Sequence, residues 1–234
     1  MAEIICEMGI NHRGSLNLAR RMILEAKNCG CNIIKTQLYD PAKLFPSKEI
    51  WAQERNWYPE VKKTQLTKKQ VFELADFCQQ NELEFLASVF DWERLYWLEE
   101  LKVPRHKIAS RALLDWHLVN LVAMTGKPLL VSLGLWNRPN FPIIRTTGKV
   151  DFLYCVSEYP TPPEHLNLPE NFTQSGYTGF SDHCAGIEAS KEAIRRGALI
   201  VEKHFCLDRS VEGPDILCSI TPDELRELVQ FAAK

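Results

Sequence analysis

A chain of 234 residues, 45% hydrophobic and 25% charged, has the composition of a soluble globular domain with one sizeable core, which excludes a disordered polypeptide. A formal net charge of −2 gives no electrostatic case for nucleic acid or for an anionic membrane. Polar residues interrupt every apolar run before the ~18 residues a membrane span needs. The opening Met1-Ala2-Glu3-Ile4-Ile5-Cys6-Glu7 lacks the basic and apolar regions of a signal peptide, so a cytoplasmic protein is expected.

In chain order, short apolar runs alternate with amphipathic stretches. Ile4-Ile5-Cys6 reads as strand one. Leu16 to Cys29 carries Leu16, Ala19, Ile23 and Ala26 at helical spacing and stops at Gly30. Asn32 to Gln37 is strand two, and a long aromatic-rich connection runs from Leu38 to Leu66. Thr67 caps a helix through Asn81 with Val71, Leu74, Ala75 and Cys78 on one face. Glu84 to Val89 is strand three, Trp92 to Leu101 a helix, Lys107 to Ala109 strand four, and Trp116 to Met124 a helix. Pro128 to Ser132 is strand five; the following Gly134–Lys149 contains Pro139, Pro142 and Gly148 and is a poor helix. Val150 to Val156 is strand six, followed by a poorly helical Glu164–Ser175. Tyr177 to Phe180 is strand seven, Ile187 to Arg196 a helix, and Leu199 to Lys203 strand eight. Thr221-Pro222-Asp223-Glu224 opens the last helix with a cap, a proline in the first turn and acidic residues at its positive end.

Eight strands alternating with helices predict a parallel (β/α)₈ TIM barrel, an α/β fold, with degenerate helices after strands five and six. One domain, 1–234, is expected, since no linker or repeat divides the chain. Cys6, Cys78, Cys155 and Cys206 sit in apolar stretches, and Cys29 and Cys31 are too closely spaced for structural zinc. Free thiols in a reducing compartment are therefore expected. The cluster Lys62, Lys63, Lys68 and Lys69 reads as a solvated face.

Active sites of such barrels lie at the C-terminal ends of the strands. There the sequence places Lys35, Ser88, Lys107, Ser110, Ser132, Ser157, Tyr159, Ser181, His183 and His204. Taken singly, a serine at a strand end is usually a turn residue, a lone histidine structural, and Lys35 a side chain that reaches solvent along its stem. Together, lysines and hydroxyls suit an anion bearing phosphate and carboxylate. Two imidazoles on adjacent strands suit a borderline divalent cation such as Mn²⁺.

Particular strings carry more. Glu7-Met8-Gly9-Ile10-Asn11-His12, Ile34-Lys35-Thr36-Gln37, His106-Lys107-Ile108-Ala109-Ser110 and Gly126-Lys127-Pro128 are followed by Cys155-Val156-Ser157-Glu158-Tyr159-Pro160-Thr161-Pro162-Pro163. Then come Ser181-Asp182-His183, Glu202-Lys203-His204-Phe205 and Glu212-Gly213-Pro214-Asp215. In this order, over essentially the whole chain, they resemble the sialic acid synthase family, whose members make N-acetylneuraminate, legionaminate and pseudaminate.

The resemblance implies a metal-assisted condensation of phosphoenolpyruvate with an N-acetylated amino-sugar aldehyde, giving a nonulosonic acid and phosphate. It implies that His183 and His204 bind Mn²⁺, with Mg²⁺ as the alternative. Lys35, Lys107, Ser88, Ser110, Ser132, Ser157, Tyr159 and Ser181 would hold phosphoenolpyruvate. Asp215 would face the sugar hydroxyls, and Asn11 and His12 would line the mouth. Lys35, Lys107, His183 and His204 are the expected catalytic set.

Four departures from the family pattern lie on the acceptor side or outside the barrel. Arg111-Ala112 replaces a glycine and a carboxylate after Ser110. Arg13 replaces an asparagine or glutamate. The connections after strands five and six are short. The C-terminal antifreeze-like domain, which in family dimers reaches into the partner's site, is not expected in this chain. Two alternatives follow: a non-catalytic partner protein that keeps the ligand pocket, motivated by Ala112, or a related barrel synthase using a phosphorylated aldose, motivated by Arg13 and Arg111. The arginines could equally pair with local carboxylates such as Asp115. Trp116, Trp136, Phe141 and Phe172 are placed to cover the thin wall within the monomer or to anchor a homodimer, and a homodimer is expected.

Overall fold

The computed structural model describes residues 1–52 and 55–234. Eight parallel strands close into a barrel: β1 (Glu3–Gly9), β2 (Ile33–Leu38), β3 (Glu84–Val89), β4 (His106–Ile108), β5 (Leu129–Ser132), β6 (Val150–Cys155), β7 (Gly179–Asp182) and β8 (Ile200–His204). Each pairs with the next, and β8 closes on β1. This is the predicted (β/α)₈ barrel. Strand seven runs two residues further than its apolar stretch suggests, because its ladder with β8 continues to the pair Asp182–Lys203.

Period-two alternation builds the barrel interior in layers. At the N-terminal end Arg105 forms ion pairs with Glu3 and Glu84 at 2.7 and 2.6 Å. Above it Ile5, Ile33, Leu86, Leu130, Leu153 and Ile200 form one buried aliphatic cluster. The next inward residues are Glu7, Lys35, Ser88, Lys107, Ser132, Cys155, Ser181 and Glu202, all buried. The aliphatic layer thus floors a polar chamber that opens only toward the C-terminal strand ends.

The covering helices are α1 (Leu16–Asn28), α2 (Pro41–Leu44), α3 (Tyr58–Lys63), α4 (Lys68–Gln80), α5 (Trp92–Glu100), α6 (Trp116–Met124), α7 (Phe172–Ser175), α8 (Glu188–Arg195) and α9 (Pro222–Ala232). The starts read from sequence have their physical basis. The Thr67 N–H donates to Gln70 Oε1 at 2.9 Å while Gln70 N–H reaches back to Thr67 Oγ1, and Thr221 with Glu224 forms the same box at α9. The connection Leu38–Leu66 is more ordered than its composition suggests. It contains α2, α3 and a two-residue antiparallel ladder of Trp51–Ala52 with Arg55–Asn56, while Gln53 and Glu54 lie outside the described residues.

The segment 133–149 after β5 contains no helix, and β6 is followed only by a 3₁₀ turn at Pro163–His165 and the four-residue α7. Aromatic rings close the wall instead. Phe141 packs 5.0 Å from Phe152 and 4.9 Å from Tyr177, Tyr154 joins them, and Trp136 meets Trp116 edge-on at 6.1 Å. Phe172 is 1% exposed. The uncovered wall that motivated the homodimer expectation is therefore filled from within the monomer.

Lys62, Lys63, Lys68 and Lys69 are exposed. All eight cysteines are buried with free thiols. Among the described residues no helix is long and apolar enough to cross a membrane. Leu153, wholly buried in the aliphatic layer, carries the floor of the chamber. Leu153→Ala should lower unfolding free energy by roughly 2–5 kcal/mol, measured by urea denaturation, because the closed barrel limits collapse into the void.

Candidate active site

The chamber is lined by Glu7, Lys35, Gln37, Ser88, Lys107, Ala109, Ser110, Ser132, Cys155, Tyr159, Ser181, His183, Glu202 and His204, around a cavity of about 40 Å³. Lys35 Nζ lies 2.7 Å from Glu7 Oε2, 3.6 Å from Glu202 Oε2 and 3.1 Å from Ser88 Oγ. Lys107 Nζ lies 3.5 Å from Glu202 Oε1 and donates to Ser132 Oγ at 2.8 Å. Ser181 Oγ donates to Glu202 Oε1 at 3.0 Å. Glu202 therefore sits between the two ammonium groups.

Charges at this depth persist only when paired, since an uncompensated buried ion costs several kcal/mol. Burial alone would raise the Glu202 carboxyl, but Lys107 and Lys35 outweigh it and hold it below its ordinary value. Burial would likewise depress Lys35, but Glu202 and Glu7 outweigh it and raise it. Lys107 is lowered, because burial exceeds the pull of Glu202. Burial raises Glu7 against the opposing pull of Lys35. The carboxylates hold two cations side by side, as recognition of a doubly anionic ligand requires.

His183, just past β7, and His204, the last residue of β8, stand side by side, ring centroids 5.6 Å apart, with Tyr159 over His183 at 4.0 Å. His183 Nδ1 donates to the Val156 carbonyl at 2.7 Å. A carbonyl can only accept, so Nδ1 carries a proton, and in the neutral imidazole Nε2 is the lone-pair nitrogen; burial lowers the His183 imidazole, but Cys155 and the Val156 carbonyl outweigh it and raise it. Buried His204 Nδ1 has no hydrogen-bond partner among the described residues, and Asp215 Oδ2 is 3.8 Å away. Burial, reinforced by His183 and the lysines, holds the His204 imidazole well below its ordinary value, in the neutral form that binds cations. Burial, with a contribution from Glu7, pushes the Asp215 carboxyl up to about 6. Among the described residues no group of three or more His, Cys, Asp or Glu side chains is arranged to hold a metal alone. The donor set fits a cation held by two imidazoles, with substrate or water completing the shell.

A vestibule of about 380 Å³ adjoins the chamber, sharing Gln37, Ala109, Ser110 and Tyr159 with it. Ser157 and Asp215 line this vestibule with Tyr39, Phe45 and Phe90. Arg111 also lines it. Its guanidinium stacks on Phe45 at 4.5 Å and donates to the Leu44 carbonyl at 2.8 Å. Asp115 does not pair with it; that carboxylate caps α6 through Leu118 N–H. Ala112 is 5% exposed and packs in the core.

Asn11 and His12 lie off the chamber. A register break at Glu7/Gly9, with Gly9 at φ 52°, turns the chain away from the mouth. Asn11 then donates to the Phe205 carbonyl and Ser219 Oγ and lines, with Arg13, a pocket that shares Ile10, Val61 and Pro214 with the vestibule, while His12 is fully enclosed. Glu7 and Glu202 were overlooked as site residues in the sequence. The available signal was two carboxylates at inward positions of otherwise apolar strands.

The sequence profile described as the NeuB family matches residues 22–234. The chain belongs to the NeuB family. It is 35% identical over 245 residues to the N-acetylneuraminate-9-phosphate synthase of Drosophila melanogaster, covering 96% of this chain and 65% of that protein. It is 33% identical over 250 residues to the pseudaminic acid synthase of Campylobacter jejuni, covering 97% and 71%. The crystal structure of an N-acetylneuraminic acid synthetase from Leptospira borgpetersenii superposes with a TM-score of 0.87 at 33% identity, covering 99% of this chain and 82% of that one. The chain spans about two thirds of the length of its NeuB relatives.

One close approach makes this site testable apart from its chemistry. A Cβ on Gly134 would stand 2.5 Å from Ser157 Oγ, 2.8 Å from Cys155 Sγ and 3.0 Å from Ser110 Oγ. Gly134→Ala should displace these side chains, lowering calorimetric affinity for phosphoenolpyruvate at least ~10-fold, the cost of one lost charge-assisted contact. The unfolding midpoint should move little.

Proposed function

We propose that the protein condenses phosphoenolpyruvate with the open-chain aldehyde of an N-acetylated amino sugar, forming a nonulosonic acid and releasing phosphate. The observation that carries this reading is the pair of buried ammonium groups, Lys35 and Lys107, held over a dry floor by Glu7 and Glu202 with Ser88 and Ser132 beside them. Membership of the NeuB family supports it.

In this reading Lys35 and Lys107 neutralise the phosphate and carboxylate of phosphoenolpyruvate. Ser88, Ser110, Ser132 and Ser181 orient those groups from the surrounding strands, with Ser157 and Tyr159 at the upper rim. A divalent cation held by His183 and His204, Mn²⁺ or Mg²⁺, would supply Lewis-acid polarisation of the sugar aldehyde. Carbon C3 of phosphoenolpyruvate then attacks that carbonyl carbon, positive charge develops at C2, water adds there, and phosphate leaves by C–O cleavage. The protein's own contribution is to hold the reactants at bonding distance in a preorganised polar chamber. Asp215, in the vestibule wall, would face the sugar hydroxyls.

Incubation with phosphoenolpyruvate, Mn²⁺ and a panel of N-acetylated hexoses should release phosphate with at least one acceptor. Lys107→Met should cost roughly 10–100-fold in phosphoenolpyruvate affinity, the worth of a charge-assisted bond. No turnover with any acceptor contradicts the proposal.

For the cation, His183→Ala should weaken Mn²⁺ binding far more than His106→Ala, because His106 is bonded to Glu99 at 2.8 Å away from the chamber. Equal effects in a calorimetric titration reject the assignment.

Arg111 favours a second reading of the acceptor, one that carries an anionic group. It lines the vestibule with no ion-pair partner among the described residues, and its remaining guanidinium donors match a phosphate or carboxylate. Arg111→Gln should raise KM for a phosphorylated acceptor and leave that for a neutral acceptor unchanged. Equal shifts contradict this reading.

A further inference from the structure

The described side chains contain one ion pair with no solvent exposure on either partner, and it lies outside the chamber. Lys203 Nζ is 3.1 Å from Asp182 Oδ2, each side chain 0% exposed. The two residues are register partners on β7 and β8. Each immediately precedes an imidazole, His183 or His204. Alternation along the strands turns the ion pair outward, beneath α8, and the imidazoles inward.

The pair is tied into the backbone around His183. Asp182 Oδ1 accepts the Cys184 N–H at 2.7 Å, while Lys203 Nζ donates to the Cys184 carbonyl at 2.5 Å. Residue 184 is thus held at both its backbone polar groups, which restricts the peptide units on the C-terminal side of His183. Ser190 Oγ, in the first turn of α8, donates to Asp182 Oδ2 at 2.5 Å and fastens the assembly to the covering helix. β7 ends at Asp182 and β8 at His204, so the ladder fades where the imidazoles need a fixed separation. Strand pairing no longer supplies that restraint at residue 183; the Thr161 N–H on the His183 carbonyl at 2.9 Å, the Val156 carbonyl on the ring and the side-chain clasp share it.

We infer that Asp182, Lys203 and Ser190 form an outer clasp whose task is to position the imidazoles of His183 and His204 for a shared divalent cation. The inference rests on the proposed cation role of the two histidines. The clasp residues touch neither cation nor substrate and are positioning residues. Buried ion pairs are poor stabilisers compared with apolar packing of the same volume, so an unexposed pair directly behind two candidate ligands points to geometry rather than stability. Residues that orient metal ligands from behind typically change affinity by about 10–100-fold when altered.

The test uses the whole chain and Mn²⁺ alone, read by calorimetry and by the electron paramagnetic resonance line shape of the bound ion. The double variant Asp182→Asn/Lys203→Met removes both charges together and leaves no orphaned ion. Ser190→Ala is a milder second variant that keeps the pair and loosens it. Leu228→Ala, a buried core change in α9, controls for general destabilisation. The expected result is Mn²⁺ affinity reduced by about 10-fold or more in the double variant and several-fold in Ser190→Ala, with altered line shape, while Leu228→Ala binds like the parent. If the double variant does not fold, Ser190→Ala decides alone. Parent-like affinity and line shape in a folded clasp variant overturn the inference while the cation site stands. A parent protein that takes up no Mn²⁺ overturns the cation role and the inference with it.

Discussion

Glu202 lies 3.6 Å from Lys35 Nζ and 3.5 Å from Lys107 Nζ, and the rest of the site depends on that bracket. Two ammonium groups inside a barrel would repel each other and lose hydration; a carboxylate between them removes both difficulties without filling the cavity above. Glu7 shares the load on the Lys35 side, and Ser88, Ser132 and Ser181 bond to Lys35, Lys107 and Glu202 Oε1 respectively. The outcome is a preorganised receptor with cations already in place, so reorganisation on binding is small.

The bracket is possible because the barrel changes character every second residue along its strands. Ile5, Ile33, Leu86, Leu130, Leu153 and Ile200 seal the chamber below. Two residues further on, the same strands present charge. On the outer face of β7 and β8, one residue out of phase, Asp182 and Lys203 form their own pair under α8. Three environments are thus written on short strands by alternation alone, and the two imidazoles stand at the C-terminal ends of these strands, above the charged layer. The vestibule obeys a different constraint. Its walls come from loops, with Arg111 resting on Phe45 from α2's C-terminal flank, and there this chain departs most from the family pattern.

The strand positions were legible because each is a short apolar run ended by a polar residue. The polar endings Lys35, Ser88, Lys107, Ser132, Ser181, His183 and His204 were legible as a constellation for the same reason. The carboxylates were not. Glu7 and Glu202 sit among apolar neighbours, and a lone carboxylate in such a run gives no sign of which cation it meets across the barrel. Asn11 and His12 were assigned to the mouth by family resemblance, but the register break at Gly9 carries them to one side, a local backbone event that residue types do not announce. The Asp182–Lys203 pair was hidden by separation: the partners are far apart in sequence and become neighbours only once β7 and β8 lie in register. The missing helices after β5 and β6 were readable from Pro139, Pro142 and Gly148. That Phe141, Phe152, Tyr154 and Tyr177 would cover the gap internally required knowing which ring meets which.

The central claim is that the lysine pair bracketed by Glu202 is the receptor for phosphoenolpyruvate, next to a cation on His183 and His204. A crystal structure of the protein soaked with phosphoenolpyruvate and Mn²⁺ tests it most directly. The account predicts the phosphate and carboxylate within hydrogen-bond distance of Lys35 and Lys107 Nζ, and anomalous density for manganese between the two imidazoles. Phosphoenolpyruvate bound only in the vestibule, with both lysines keeping only their present protein partners, would contradict it.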